Sequence, residues 1–137
     1  MPAVTGVLET SLYVADVRRA GAFYQAVFGF QRLDGDDRFT ALEVPGRQVL
    51  LLFARGASGR AVRLPVGAIP PHDGSGRLHV TFSIPAGQLA AWEAHLERHA
   101  VAIESRVTWP RGGTSLYFRD PDGHLVELAT PGLWWPK

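Results

Sequence analysis

The fold of this chain is decided by LETSLYV at residues 8–14 and by its echo LHVTFSI at residues 78–84. Both stretches alternate polar and apolar side chains, as a half-buried β-strand does. Each is followed by a segment whose apolar residues recur three and four positions apart, which predicts an amphipathic helix. These segments are residues 17–28 and 88–99. Asp16 is a suitable N-cap for the first helix, and Gly29 suits the left-handed position that ends it.

The repeat continues beyond the helices as two pairs of alternating runs. These runs are residues 39–46 and 47–53 in the first copy, and 116–123 and 124–130 in the second. Pro45-Gly46 and Pro121-Asp122-Gly123 predict hairpin turns, because Pro fixes φ and Gly accepts a positive φ. Aligning the two glycines makes Leu50 the first-copy counterpart of Glu127. Each copy is therefore predicted to be a βαβββ module.

The predicted fold class is α+β, with two tandem βαβββ modules forming a curved mixed sheet around a cleft. We expect one domain over residues 1–137, made of modules at about 5–55 and 77–131. The connector, residues 56–76, is rich in Gly, Pro and Ser and has no periodic pattern, so it is predicted to be a loop.

Composition excludes several classes of protein. The chain has 14 Lys and Arg against 13 Asp and Glu, and this near-neutral charge gives no support for nucleic acid binding. It has no cysteine, which excludes disulfides and thiolate chemistry. Its apolar runs are far shorter than the roughly 20 residues that a membrane span requires, so no membrane partner is expected. The start has neither the basic nor the apolar region of a signal peptide, and we expect a cytoplasmic protein.

Three residues of metal-ligand type fall at related positions of the repeat. Glu9 and His79 occupy the same place in the two first strands, and Glu127 interrupts the otherwise apolar last strand. A buried, unpaired carboxylate costs on the order of several kcal/mol, which a divalent cation would offset. We therefore predict a metal site at Glu9, His79 and Glu127, with coordination positions left open for water or substrate.

Four motifs in order resemble the vicinal oxygen chelate superfamily, which includes glyoxalase I, fosfomycin resistance enzymes, bleomycin resistance proteins and extradiol dioxygenases. The motifs are LETSLYV at 8–14, AFYQAVFGF at 22–30, LHVTF at 78–82 and YFRDPDGHLVEL at 117–128. The resemblance implies paired βαβββ modules, a homodimer, and a metal on Glu9, His79 and Glu127. The usual first-strand ligand of that superfamily is His. Glu9 makes the set richer in oxygen and favours Mg, Mn or Fe(II) over Zn. The predicted cofactor is one divalent cation among Mn, Mg, Fe(II), Ni and Zn.

The alternation of the strands also predicts which side chains contact a substrate. These are Ser11, Tyr13, Ser115, Tyr117 and Arg119. Arg119 has two readings of equal weight, recognition of an anionic group or an ion pair with Asp120 or a neighbouring strand.

The sequence also predicts where two histidines and two tryptophans lie. His72 is expected in solvent or on a connector folded over the cleft, and His124 at the surface. Trp134 and Trp135 are expected to pack on the domain or on a second subunit.

Two functions from different classes follow. The first is a divalent-metal-dependent lyase, transferase or dioxygenase that chelates a small oxygenated substrate, with Glu9 or Glu127 as a catalytic base. Fe(II) ring cleavage favours two His and one carboxylate, so Glu9 counts against that reaction. The alternative is a metal-free protein that binds and sequesters an antibiotic-type small molecule. Exposed sheet edges and large aromatics predict a homodimer for either.

Overall fold

The computed structural model describes residues 1–136, and its chain divides into two compact units between Gly76 and Arg77. The first unit contains β1 (Glu9–Val14), α1 (Val17–Phe28), β2 (Gln31–Gly35), β3 (Phe39–Val44), β4 (Gln48–Ala54), β5 (Val62–Leu64) and β6 (Gly67–Ile69). The second contains β7 (His79–Ser83), a 3₁₀ turn (Ala86–Gln88), α2 (Leu89–Arg98), β8 (Ser105–Thr108), β9 (Thr114–Arg119) and β10 (Leu125–Ala129).

Each unit has one four-stranded mixed sheet, and the two sheets share a topology. The strand orders are β1-β4-β3-β2 and β7-β10-β9-β8. The first strand of each module pairs in parallel with the last, and the other neighbours are antiparallel. The prediction of an α+β fold with two βαβββ modules is confirmed. No helix within residues 1–136 is long and apolar enough to cross a membrane.

The ends of α1 follow from local chemistry. Asp16 Oδ1 accepts hydrogen bonds from the backbone N–H groups of Arg18 at 2.9 Å and Arg19 at 3.3 Å. Gly29 has φ 71° and donates its N–H to the carbonyl of Gln25. Both caps match the sequence prediction, because each satisfies backbone groups that the helix itself leaves unpaired.

One face of each sheet forms a core. Leu50 and Leu52 of β4 are fully buried in the first unit, and Val126 and Leu128 of β10 are fully buried in the second. Because successive strand residues point to opposite sides, Glu127 lies on the other face of β10. The core therefore fixes the direction of the carboxylate.

The register corrects one prediction about the repeat. Glu127 pairs with Thr81, whose first-module equivalent is Ser11, and Ser11 pairs with Leu51. The counterpart of Glu127 is thus Leu51, and the prediction of Leu50 was wrong. The alignment of glycines caused the error: Arg47, with φ 59°, occupies the left-handed turn position that Gly123 occupies at φ 80°.

Two other segments differ from expectation. Residues 56–76, predicted to be a loop, contain the short hairpin β5–β6. Its strands have three residues each, too short to show a period in sequence. His124 is fully buried, so its predicted surface position was wrong. Its Nδ1 accepts the N–H of Leu78 at 2.8 Å, and Asp120 accepts its backbone N–H.

Candidate functional site

A buried carboxylate and a half-exposed imidazole lie together on the second unit. Glu127 on β10 is 3% exposed, whereas the side chain of His79 on β7 is 50% exposed. His79 Nε2 lies 2.9 Å from Glu127 Oε1. The two strands are parallel neighbours, and Glu127 is two positions along β10 from Leu125, the residue that pairs with His79. Sheet register therefore brings the pair together.

Two hydroxyl groups hold the Glu127 carboxylate. Ser115 Oγ donates to Glu127 Oε2 at 2.5 Å, and Thr81 Oγ1 donates to Oε1 at 3.1 Å. Trp109 Nε1 donates to Ser115 Oγ at 2.8 Å. Because an indole nitrogen can only donate and a serine hydroxyl carries one proton, the Ser115 proton points to Glu127. Oε2 is thus occupied by Ser115, and Oε1 faces His79.

The donor set of this pair suits a divalent cation. A cation with ligands at about 2.1 Å holds adjacent ligands about 3 Å apart, and the two donor atoms of His79 and Glu127 are 2.9 Å apart. A neutral imidazole and a carboxylate are common ligands for Mn, Fe(II) and Zn. His79 and Glu127 are thus the two side chains of the second unit that could hold a cation.

Tyr117 on β9 contributes a phenol to the same face. Its ring centroid lies 6.4 Å from that of His79. Burial raises the pKa of the Tyr117 phenol above its ordinary value of about 10, and the negative charge of Glu127 raises it further. At neutral pH the phenol is therefore protonated and can donate a hydrogen bond.

These side chains border a cavity of about 800 Å³ in the second unit. Sheet residues form part of the lining, and a turn and the C-terminal segment form the rest. The lining residues are His79, Thr81, Ser83, Trp109, Arg111, Tyr117, Glu127, Ala129, Thr130, Pro131, Gly132, Leu133, Trp134, Trp135 and Pro136. This volume falls within the range of about 300 to 1,000 Å³ that small-molecule sites occupy.

Arg119 is not among the residues that line this cavity, and it forms an ion pair with Glu104. Its Nη2 and Nε lie 2.9 Å and 3.3 Å from the two carboxylate oxygens of Glu104, and its Nη1 donates to the carbonyl of Gly123. This geometry matches the second reading of Arg119, the ion pair. The hydrogen bonds from Arg119 lower the pKa of Glu104 from its ordinary value of 4.5.

The Glu104–Arg119 pair predicts a pH-dependent contribution to stability. A lowered folded-state pKa stabilises the fold above pH 4.5, and this contribution disappears as the pH falls through the folded-state value. Glu104→Gln should therefore lower the free energy of unfolding slightly at neutral pH and leave it unchanged at acid pH. Urea unfolding at both pH values measures the effect.

Glu97→Gln, at an exposed residue of α2, serves as the control and should change neither value. An equal loss from Glu104→Gln at both pH values would contradict a role for its charge.

The remaining predicted residues lie in the first unit. Glu9 is exposed on β1, and Ser11 is partly buried two positions along. The Tyr13 hydroxyl lies 2.7 Å from His72 Nδ1, and both rings contact Phe53. The connector is therefore folded over Tyr13. Among residues 1–136, no three His, Asp or Glu side chains are grouped so that they could hold a metal.

Sequence reasoning missed the aromatic wall of the cavity. Trp109 was not singled out, and Trp134 and Trp135 were expected only to pack on protein. The signal was the number of tryptophans, four in 137 residues, of which three line one cavity. Thr81 was missed as a partner of Glu127, although its place two residues after His79 on one strand face would have indicated it.

Known proteins resemble this chain over nearly its full length. The metallothiol transferase FosB of Shouchella clausii (strain KSM-K16) is 28% identical over 132 residues, covering 95% of this chain and 83% of the relative. The catechol-2,3-dioxygenase of Bacillus subtilis (strain 168) is 31% identical over 139 residues, covering 97% of this chain but only 45% of the relative.

Structural similarity agrees with sequence similarity. The crystal structure of lactoylglutathione lyase from Agrobacterium tumefaciens is 33% identical and has a TM-score of 0.87, with 97% of this chain and 98% of that chain covered. The family model for the Glyoxalase/Bleomycin resistance protein/Dioxygenase superfamily matches residues 6–128. The chain therefore belongs to the glyoxalase/bleomycin resistance protein/dioxygenase superfamily.

Proposed function

We propose that this protein is a divalent-metal-dependent enzyme that acts on a small oxygenated substrate. One observation carries the proposal: Glu127, 3% exposed, lies 2.9 Å from His79 at the border of a cavity. His79 and Glu127 would be ligands. Glu9, the equivalent of His79 in the repeat, stays a prediction from the sequence as a third ligand. A cation held there would act as a Lewis acid toward charge that develops on a substrate oxygen.

The surrounding residues have defined parts in this proposal. Ser115 occupies Oε2 of Glu127 and so directs Oε1 toward the ligand position. Thr81 donates to the same Oε1 and limits rotation of the carboxylate. Tyr117 is protonated at neutral pH and interacts with Ser115 and Glu127, and it is proposed to donate to a substrate oxygen when a substrate is bound. Ser115 acts through Glu127 and is a positioning residue.

The relatives support an enzyme but leave the reaction class open. Their names describe a transferase, a dioxygenase and a lyase. Ser11, Tyr13 and Arg119 remain proposals as substrate contacts. Of these, Tyr13 contacts His72 and Arg119 contacts Glu104. Cytoplasmic location likewise remains a prediction from the sequence.

Metal analysis tests the proposal directly. Protein purified without chelators or a metal-binding tag should retain close to one Mn, Mg, Fe or other divalent ion per chain. Glu9→Gln should weaken metal affinity by roughly tenfold or more, because it removes a charged ligand. The measurement is a titration of chelator-treated protein with Mn²⁺ followed by calorimetry.

Glu43→Gln is the matched control, since Glu43 is another exposed glutamate on a strand of the first unit. If wild type binds no divalent ion at micromolar concentration, the metal proposal fails. If Glu43→Gln and Glu9→Gln weaken binding equally, Glu9 is not a ligand.

A metal-free sequestering protein is the second candidate. The aromatic lining of the 800 Å³ cavity favours it, because indole surfaces bind flat apolar ligands without a metal. A cation-free protein that binds such a ligand and does not turn it over would establish this function instead.

We also propose a homodimer. The edge strands β2 and β8 have mostly exposed residues, and an uncovered edge readily pairs with another chain. Light scattering at micromolar concentration should give about twice the chain mass of 14.9 kDa. A mass of one chain at this concentration would refute the dimer.

A further inference from the structure

Three of the four tryptophans in this chain line one cavity of the second unit. They are Trp109, Trp134 and Trp135, whereas Trp92 lies on α2 and contacts His95. Trp134 and Trp135 are 72% and 77% exposed. Large aromatic side chains left exposed beside a concave site mark a surface that binds something.

The C-terminal part of this wall is held against the rest of the unit. A Cβ atom placed on Gly132 would lie 2.8 Å from the backbone nitrogen of Gly113, so only glycine permits the observed approach. Thr130 Oγ1 accepts the backbone N–H of Thr114 at 2.8 Å. Arg111 Nη1 donates to the carbonyl of Trp134 at 3.1 Å. The segment after β10 is therefore a built wall of the cavity.

The other side of the wall is tied to the carboxylate of the proposed site. Trp109 donates its indole N–H to Ser115, and Ser115 donates to Glu127. This chain of hydrogen bonds fixes the indole beside the carboxylate. A flat ring packed on Trp109 would therefore lie close to Glu127 and His79.

Charge adds a second requirement on the ligand. Among the lining residues that the structure describes, Arg111 is the one Lys or Arg side chain. Arg111 is an exposed residue, and within residues 1–136 its side-chain hydrogen bond is the one to the carbonyl of Trp134. A planar guanidinium beside aromatic surfaces recognises a carboxylate by paired hydrogen bonds.

We propose that the cavity binds a planar aromatic carboxylate, with its ring packed against the tryptophans and its carboxylate on Arg111. The proposal rests on the proposed function only in placing the ring next to His79 and Glu127. Binding itself depends on the indoles and on Arg111, and it does not require a metal.

Calorimetry on chelator-treated protein separates the two requirements with three probes. The probes are 2-naphthoate, the neutral 2-naphthalenemethanol and the saturated decahydro-2-naphthoate. We expect 2-naphthoate to bind with an affinity at least about tenfold higher than either of the others, because each of them lacks one feature.

Variants assign the effect to residues. Trp134→Ala should weaken binding of 2-naphthoate by about fivefold to 150-fold, the range expected for loss of one stacked ring. Trp92→Phe is the matched control and should leave the affinity unchanged. The Arg111→Gln variant should bind 2-naphthoate no more tightly than it binds 2-naphthalenemethanol. The Arg111→Lys variant should keep part of the preference for 2-naphthoate over the neutral alcohol.

Three outcomes would overturn the proposal. The first is equal affinity of the wild type for 2-naphthoate and for decahydro-2-naphthoate, and the second is no binding of 2-naphthoate at millimolar concentration. The third is a Trp134→Ala variant that becomes monomeric while its affinity for 2-naphthoate is unchanged. The last would assign the tryptophans to a contact with a second copy. The naphthoate titration uses metal-free protein, so its result stands even if the protein proves not to bind a divalent metal. Loss of naphthoate binding with Mn²⁺ binding intact would overturn this proposal alone.

Discussion

Glu127→Gln is expected to abolish metal retention and turnover while leaving the fold intact. The substitution keeps the side-chain volume and removes the negative charge that attracts a cation. The glutamine oxygen accepts from Ser115, as Glu127 Oε2 does, and the amide N–H₂ faces His79 Nε2. Thr81, which donates to Oε1 in the wild type, would instead accept the second amide hydrogen through its hydroxyl oxygen, so each polar atom of the glutamine side chain keeps a partner. Metal content after dialysis is the measurement.

The stability of the Glu127→Gln variant without metal separates a role of Glu127 in metal binding from a role in folding. We expect a free energy of unfolding within about 1 kcal/mol of chelator-treated wild type, because the hydrogen bonds are exchanged and not lost. Glu104→Gln, the same substitution at an exposed residue of the same unit, should retain the metal. Unfolding of Glu127→Gln without metal would show that the carboxylate is a structural requirement.

Leu128→Ala should have the opposite effect. Leu128 is fully buried on β10, one position from Glu127 and on the other face of the sheet. Its truncation leaves a cavity in the core and should lower the free energy of unfolding by about 2 to 5 kcal/mol. At temperatures where the variant is folded, it should bind Mn²⁺ as wild type does. Urea unfolding and calorimetry measure the two effects.

Leu33→Ala is the control for lost apolar volume, since Leu33 on β2 is 54% exposed. It should change stability by no more than about 0.5 kcal/mol. If Leu128→Ala were thermally silent, the core would tolerate the cavity, and the argument that packing fixes the direction of Glu127 would fail.

The sequence predicted the second module well because its signals are local. Glu127 interrupts an otherwise apolar strand, and alternation puts it on the face opposite Val126 and Leu128, which are buried in the core. The caps at Asp16 and Gly29 were predictable for the same reason, since a cap is formed by neighbours in the chain. A carboxylate within an apolar strand was the one signal of a site that needed no tertiary structure.

The pairing register of β4 in the first module could not be predicted from local sequence patterns. Alignment of Gly46 with Gly123 displaced the first-module counterpart of Glu127 by one residue, from Leu51 to Leu50. A shift of one residue exchanges the two faces of a strand. Strand pairing gives the correct register, because Ser11 pairs with Leu51. In this register Arg47, with its positive φ, is the counterpart of Gly123.

By itself, the sequence determined the two βαβββ modules, the faces of β1 and β10, and the candidates His79 and Glu127. Each depends on contacts between residues close in the chain or on the period of a strand. Only the tertiary structure decided that Ser115 and Thr81 hold Glu127, that Arg119 pairs with Glu104, and that the C-terminal tryptophans form a cavity wall. These contacts join residues on different strands and segments, and their partners are chosen by packing and hydrogen-bond geometry that no single stretch of sequence contains.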